Sequence, residues 1–136
     1  MEAYLSFNGN AAEALAFYAK SLGGKILFSM TFGESPMAKE TPDTHKNKIM
    51  HATLEARGKQ IMASDIPPGM PFDGYRGFSL SVQAKDVKEG EKLFKTLSEG
   101  GKITMPYAAT FWSPGFGMLE DKFGVPWMVN VDQPQT

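Results

Sequence analysis

Apolar and polar side chains alternate most clearly over residues 48–57. Met50, Ala52, Leu54 and Ala56 fall on one side of an extended chain, and Ile49, His51, Thr53 and Glu55 on the other. The pattern predicts a strand with a packed apolar face and an open polar face. Phe78, Leu80 and Val82 alternate in the same way with Ser79, Ser81 and Gln83. Two other segments carry helical spacing instead. Ala11, Leu15, Tyr18 and Leu22 follow Asn10 and Glu13, which have capping-box spacing, and Val87, Gly90, Phe94 and Leu97 follow Asp86 and Glu89. Both predicted helices stop at a double glycine, Gly23-Gly24-Lys25-Ile26 and Gly100-Gly101-Lys102-Ile103. The recurrence reads as one module used twice.

Shorter apolar runs complete each module. Tyr4-Leu5-Ser6-Phe7 reads as a strand before the first helix, residues 25–32 as a strand after it, and Gln60-Ile61-Met62-Ala63-Ser64-Asp65 as the strand that follows a turn at Gly58. Between them, residues 33–47 lack periodicity and predict a long loop over a site or along an oligomer surface. In the second half, residues 102–105, 115–120 and 125–131 read as strands, residues 106–113 as a loop and Asp121-Lys122-Phe123-Gly124 as a turn. The expected class is therefore α+β: one domain over 1–136, made of modules 1–70 and 76–136, each in the order strand, helix, strand, strand, strand.

Composition narrows the partners. With 42% hydrophobic residues, the 136-residue chain can build a continuous core. Fourteen basic and 15 acidic side chains leave a net charge of -1, with no basic run to follow a phosphate backbone, so nucleic acid is not an expected partner. The absence of cysteine removes disulfides, thiolate ligands and a cysteine nucleophile. The opening Met1-Glu2-Ala3-Tyr4 lacks a basic n-region, and no apolar stretch has the ~18 residues of a membrane span. The expectation is a cytoplasmic protein with no membrane partner.

Candidate chemistry gathers at two places. His51 is the only histidine on a predicted strand, on the face away from the helix, where it can orient a ligand or act as a base; a hydrogen-bonded structural role fits equally. Ser64 and Asp65 end the neighbouring strand, where a hydroxyl and a carboxylate would meet His51 or else cap the turn before Pro67 and Pro68. Thr53 shares the strand face of His51. The second place is Thr110-Phe111-Trp112-Ser113-Pro114-Gly115-Phe116, where Phe111, Trp112 and Phe116 crowd a loop and predict either a stacking wall, a dimer anchor or rings folded onto the core. Met62, Met70, Met105, Met118 and Met128 are expected to fill core gaps or line an adaptable pocket.

Several of these segments together carry a family likeness. The opening Tyr4-Leu5-Ser6-Phe7-Asn8-Gly9-Asn10, the helix motif Ala14-Leu15-Ala16-Phe17-Tyr18, the hairpin from Met50-His51-Ala52 to Ala63-Ser64-Asp65, and the run Phe123-Gly124-Val125-Pro126-Trp127-Met128-Val129-Asn130 resemble the PhnB-like branch of the vicinal oxygen chelate superfamily. This is the glyoxalase, bleomycin-resistance and extradiol-dioxygenase group, and the likeness spans essentially the whole chain. The resemblance implies paired βαβββ modules with sheets curled around a cleft, often completed by a second subunit, and hence a homodimer that binds a small molecule. Members also carry a description as ubiquinone-related methyltransferases, yet the chain has no glycine-rich strand-to-helix turn of the dinucleotide-binding type.

Metal-dependent members use His and Glu from four strands to hold a divalent ion and both oxygens of a substrate. The matching positions here fall near Ala3, near Met62 to Ser64, at Gly77 and at Met128, which offer no hard-ion ligand set. The leading expectation is therefore a small-molecule binding protein without cofactor or metal, with His51, Thr53, Ser64, Phe111, Trp112, Phe116 and Met128 as ligand-binding residues. The alternative is a glyoxalase-like lyase or isomerase, or another enzyme using His51. It would work with Asp65 as an acid/base pair, or with a divalent metal held by carboxylates such as Glu55, Asp65 or Glu120.

Overall fold

The computed structural model describes residues 1–132. The chain forms two compact units, Met1–Asp73 and a second that begins at Gly74. The first contains β1 (Ala3–Phe7), α1 (Ala11–Leu22), β2 (Lys25–Thr31), β3 (Ile49–Ala56) and β4 (Lys59–Asp65), in a sheet of order β1-β4-β3-β2. The second contains β5 (Leu80–Ala84), α2 (Val87–Ser98), β6 (Lys102–Ala108), β7 (Phe116–Glu120) and β8 (Pro126–Val131), in the order β5-β8-β7-β6. In each sheet the first strand runs parallel to the last, and the other pairs are antiparallel. The class is α+β, with two mixed four-stranded sheets that share one topology.

The double glycines have the same two jobs in each unit. Gly23 (φ 69) and Gly100 (φ 75) take the left-handed conformation that ends or follows a helix and that side chains disfavour. Gly24 and Gly101 have ordinary φ but lie against backbone. A Cβ on Gly24 would strike the Glu55 carbonyl and Ala56, and one on Gly101 would strike the Glu120 carbonyl and Asp121. The first glycine turns the chain, and the second lets it enter its sheet beside β3 or β7.

The helix starts differ. Asp86 caps α2 by accepting the Glu89 amide at 2.8 Å, while the Glu89 carboxylate accepts the Lys85 amide. Asn10 does not cap α1 with its side chain as its spacing predicts. Asp65, 54 positions away, accepts the Ala11 amide at 2.9 Å instead.

Each helix covers one face of its sheet. Ala11, Ala14, Leu15, Tyr18 and Leu22 meet Leu5, Phe7, Ala52, Leu54 and Ala63 in the first core, where each large side chain contributes about 1.5–3 kcal/mol of burial energy. On β3, the expected alternation holds at Ala52 and Leu54 but not at the strand's start. The pairing steps from His51 opposite Met30 to Ile49 opposite Thr31, so a bulge skips Met50 and turns Ile49 inward.

In the second unit Leu93, Phe94 and Leu97 form the buried helix stripe, and Val87 is exposed. Gly90 belongs to that stripe because Tyr107 needs the space. The phenol of Tyr107 passes Gly90 and Gly115, donates to the Val87 carbonyl at 2.8 Å, and stacks its ring on Phe94. Burial, reinforced by the negative charges of Glu91 and Asp86, raises the phenol pKa. β6 also runs past its predicted end, through Pro106 to Ala108. It is an edge strand, where a proline's missing N–H costs no ladder bond on the open side.

Candidate functional site

The helix-free face of the first sheet collects the polar candidates. Residues opposite Leu5, Phe7, Ala52, Leu54 and Ala63 point away from α1, and the strand register aligns them in rows. Tyr4 pairs with Met62, Met62 with Thr53, and Thr53 with Phe28. The next row runs from Ser6 to Ser64, then to His51 one step beyond the Ala52–Ala63 pair, and on to Met30. Three candidates, His51, Thr53 and Ser64, therefore share one face.

His51 is held by its neighbours. The Tyr4 hydroxyl lies 3.0 Å from Nδ1, and the two rings stack at 5.6 Å with 29° between planes. The Phe28 ring flanks it at 6.0 Å, and the Thr53 hydroxyl makes a long 3.5 Å contact with Nε2. The Tyr4 bond couples the tautomer to what Nε2 presents outward. If the tyrosine donates, Nε2 carries a proton; if Nδ1 donates to the phenol oxygen, Nε2 offers a lone pair. Tyr4 and Phe28 are half exposed and are additions to the sequence-derived set. The alternation of Tyr4 with Leu5 was visible in the sequence, whereas the register that brings it to His51 was not.

Asp65 does not join this group. It is 1% exposed and lies on the helix side of β4. One oxygen accepts the Ala11 amide at 2.9 Å and the other the Ile49 amide at 2.8 Å. The expected Asp65–His51 pairing is corrected: side chains alternate across β4, so Asp65 and Ser64 face opposite ways. His45, from the loop, bonds the Ile66 carbonyl through Nε2 at 2.9 Å and packs on Phe32.

The second sheet has its own helix-free face. One row runs Ser81, Met128, Met118, Met105 and the next Gln83, Asn130, Phe116, Ala108, with the Asn130 amide donating to the Gln83 oxygen at 2.9 Å. Counting from matched register positions, Phe116 is the counterpart of His51 and Met128 of Met62. Trp112 stands edge-on to Phe116 at 5.2 Å, and Phe111 edge-on to Trp112 at 4.8 Å. Phe111 is 94% exposed and Trp112 44%, so the rings project outward and are not folded into the core. The loop that presents them is anchored by Ser113, whose buried hydroxyl shares its one proton between the Gly115 and Val131 carbonyls at 2.8 and 3.0 Å.

The residues present do not fit a hard divalent ion. Ala3, Met62, Ala63, Ser64, Gly77 and Met128, the residues at or near which the family resemblance would look for metal ligands, carry no imidazole or carboxylate. Among the described residues, no three His, Asp or Glu side chains come together. Asp65 is committed to backbone amides, and Glu55 occupies the opposite sheet face. Glu120 pairs with Lys102 at 3.3 Å. Nor, among the described residues, does either unit hold the parallel strand–helix–strand arrangement of a dinucleotide-type cofactor site, because the strand after each helix lies at the far edge of its sheet. A polar depression of about 350 Å³ lies where α1 meets the β3–β4 hairpin, lined by Gly23, Gly24, Lys25, Glu55, Ala56 and Arg57, away from the His51 group.

Comparisons with known proteins agree with this geometry. PA1353 from Pseudomonas aeruginosa is 44% identical, with 98% of each chain covered and a TM-score of 0.90. A PhnB protein from Bacillus cereus is 27% identical over 97% of this chain and 98% of that one, with a TM-score of 0.82. A glyoxylase/bleomycin resistance protein/dioxygenase domain from Frankia sp. EAN1pec shares the fold at 15% identity, covering 99% of this chain and 92% of that one with a TM-score of 0.71. The family profile described as 3-demethylubiquinone-9 3-methyltransferase matches residues 1–130. The chain belongs to that family, and its two βαβββ units of one topology give it the fold of the glyoxylase/bleomycin resistance protein/dioxygenase domain.

Proposed function

We propose that the chain binds a small molecule on the helix-free face of the first sheet, without a divalent metal. The observation that carries this reading is the Tyr4–His51 pair, hydrogen-bonded at 3.0 Å and set between aromatic and hydroxyl side chains on an open sheet face. A sheet face built only for solvent has no need of a histidine oriented by a buttressing phenol. Tyr4 and Phe28 offer flat apolar surface, while His51, Thr53 and Ser64 offer hydrogen bonds to one polar end of a ligand. On the second unit taken by itself, Phe111, Trp112, Phe116 and Met128 form an apolar contact surface suited to a flat group. The edge strands β2 and β6 leave Ile26, Leu27 and Ile103 exposed, which supports a homodimer.

An enzymatic role for His51 is the second reading, favoured by the same hydrogen bond. In the tautomer with a free Nε2 lone pair, His51 is a base steadied by Tyr4, without help from Asp65. Two measurements test the binding proposal. Thermal shifts with nickel, zinc or manganese should leave the unfolding midpoint unchanged, and His51→Ala should weaken binding of small flat molecules with one polar end, found by screening, by about tenfold while leaving stability nearly intact. Stoichiometric metal with a raised midpoint, or unchanged affinity in the His51 variant, would overturn it.

A further inference from the structure

We propose that the methionine row of the second sheet, Met105–Met118–Met128, binds a soft monovalent cation of the Cu(I) or Ag(I) class. The three residues are paired on adjacent strands β6, β7 and β8, with an irregular register on β6 on either side of Met105. Strands lie about 4.8 Å apart, and Met118 and Met128, paired in a regular ladder, leave the sheet on the same side; Met105 pairs with Met118 from the irregular edge strand, so three flexible thioethers gather at one edge of the sheet. Thioether sulfur is a soft donor that favours Cu(I) over hard or borderline divalent ions. Met105 is 39% exposed and the other two are part-buried, which leaves the row open to an ion while its stems pack on the sheet.

The fold does not require sulfur there. The counterpart row of the first sheet is Tyr4, Met62, Thr53 and Phe28, with a single methionine in the same topology. The chain has no cysteine to compete for a soft ion, and both histidines belong to the first unit. Every donor lies on the second sheet, so the proposal stands apart from the His51 group of the first, although Met128 also belongs to the apolar surface of the second unit.

Silver is the redox-stable probe. Ag(I) nitrate is titrated into the full chain labelled with 13C at the methionine methyl groups, with zinc as a control. The expected result is that Met105, Met118 and Met128 shift together and saturate at one equivalent, with no response to zinc. Met118→Leu keeps the apolar volume and should lower silver affinity by about tenfold or more, with an unchanged urea midpoint. The proposal is overturned if silver acts first on the exposed Met37 or Met70, if the three methyls do not move together, or if Met118→Leu leaves affinity unaltered.

Discussion

Asp65→Ala should lose about 3–5 kcal/mol of unfolding free energy, because it removes two buried charge-assisted hydrogen bonds and leaves two amides unpaired. The residue ties three pieces of the first unit together at the end of β4. The Ala11 amide belongs to the first turn of α1, and the Ile49 amide opens β3. With total stabilities of about 5–15 kcal/mol for domains, this is a large share. Asp65→Asn keeps one acceptor but turns an NH₂ group toward the second amide, so it should lose about half as much. Urea denaturation of both variants checks the order. Loss of less than about 1 kcal/mol in the alanine variant would show that Asp65 does not hold the unit together.

Gly24→Ala and Gly101→Ala should each cost about 3 kcal/mol, the upper end of overpacking penalties, because the new methyl group meets backbone that cannot swing aside. Gly23→Ala should cost only about 1 kcal/mol, the price of a left-handed side chain in open space. The comparison is sharp because all three glycines sit in the same repeated tetrapeptide motif. At Gly24 the obstacle is the Glu55 carbonyl, at Gly101 the Glu120 carbonyl, and at Gly23 nothing lies within 4 Å of the added carbon. Matched losses at Gly24 and Gly101 would support the equivalence of the two units. A large loss at Gly23 with a small one at Gly24 would contradict it.

The duplicated architecture was legible from that tetrapeptide and from the 2.0 and 3.6 periodicities around it, since one residue type, glycine, is required by local backbone geometry. Features set by long-range pairing were not. Asn10 and Glu13 have the spacing of a local cap, yet the Asn10 side chain makes no cap hydrogen bond, and the first amide of the helix, at Ala11, is taken by Asp65 from 54 positions away. Period-two reasoning put Met50 inside, and the bulge opposite Met30 and Thr31 reversed it. The same limit applied to the candidate site. His51 and Thr53 shared a face by alternation alone, but Tyr4, 47 positions away, reached His51 only through the parallel β1–β4 pairing. Asp65 was misassigned for the converse reason: it is adjacent to Ser64 in sequence and opposite to it in the sheet.

The helix-free face of the first sheet is the centre of the functional account, and a chemical-shift map tests it most directly. The metal-stripped chain is titrated, in the presence of a chelator, with small flat molecules with one polar end, found by screening. Saturable shifts are expected at Tyr4, Phe28, His51, Thr53, Met62 and Ser64, reduced in His51→Ala. Shifts confined to other surfaces, or binding that appears only when nickel, zinc or manganese is added, would contradict it.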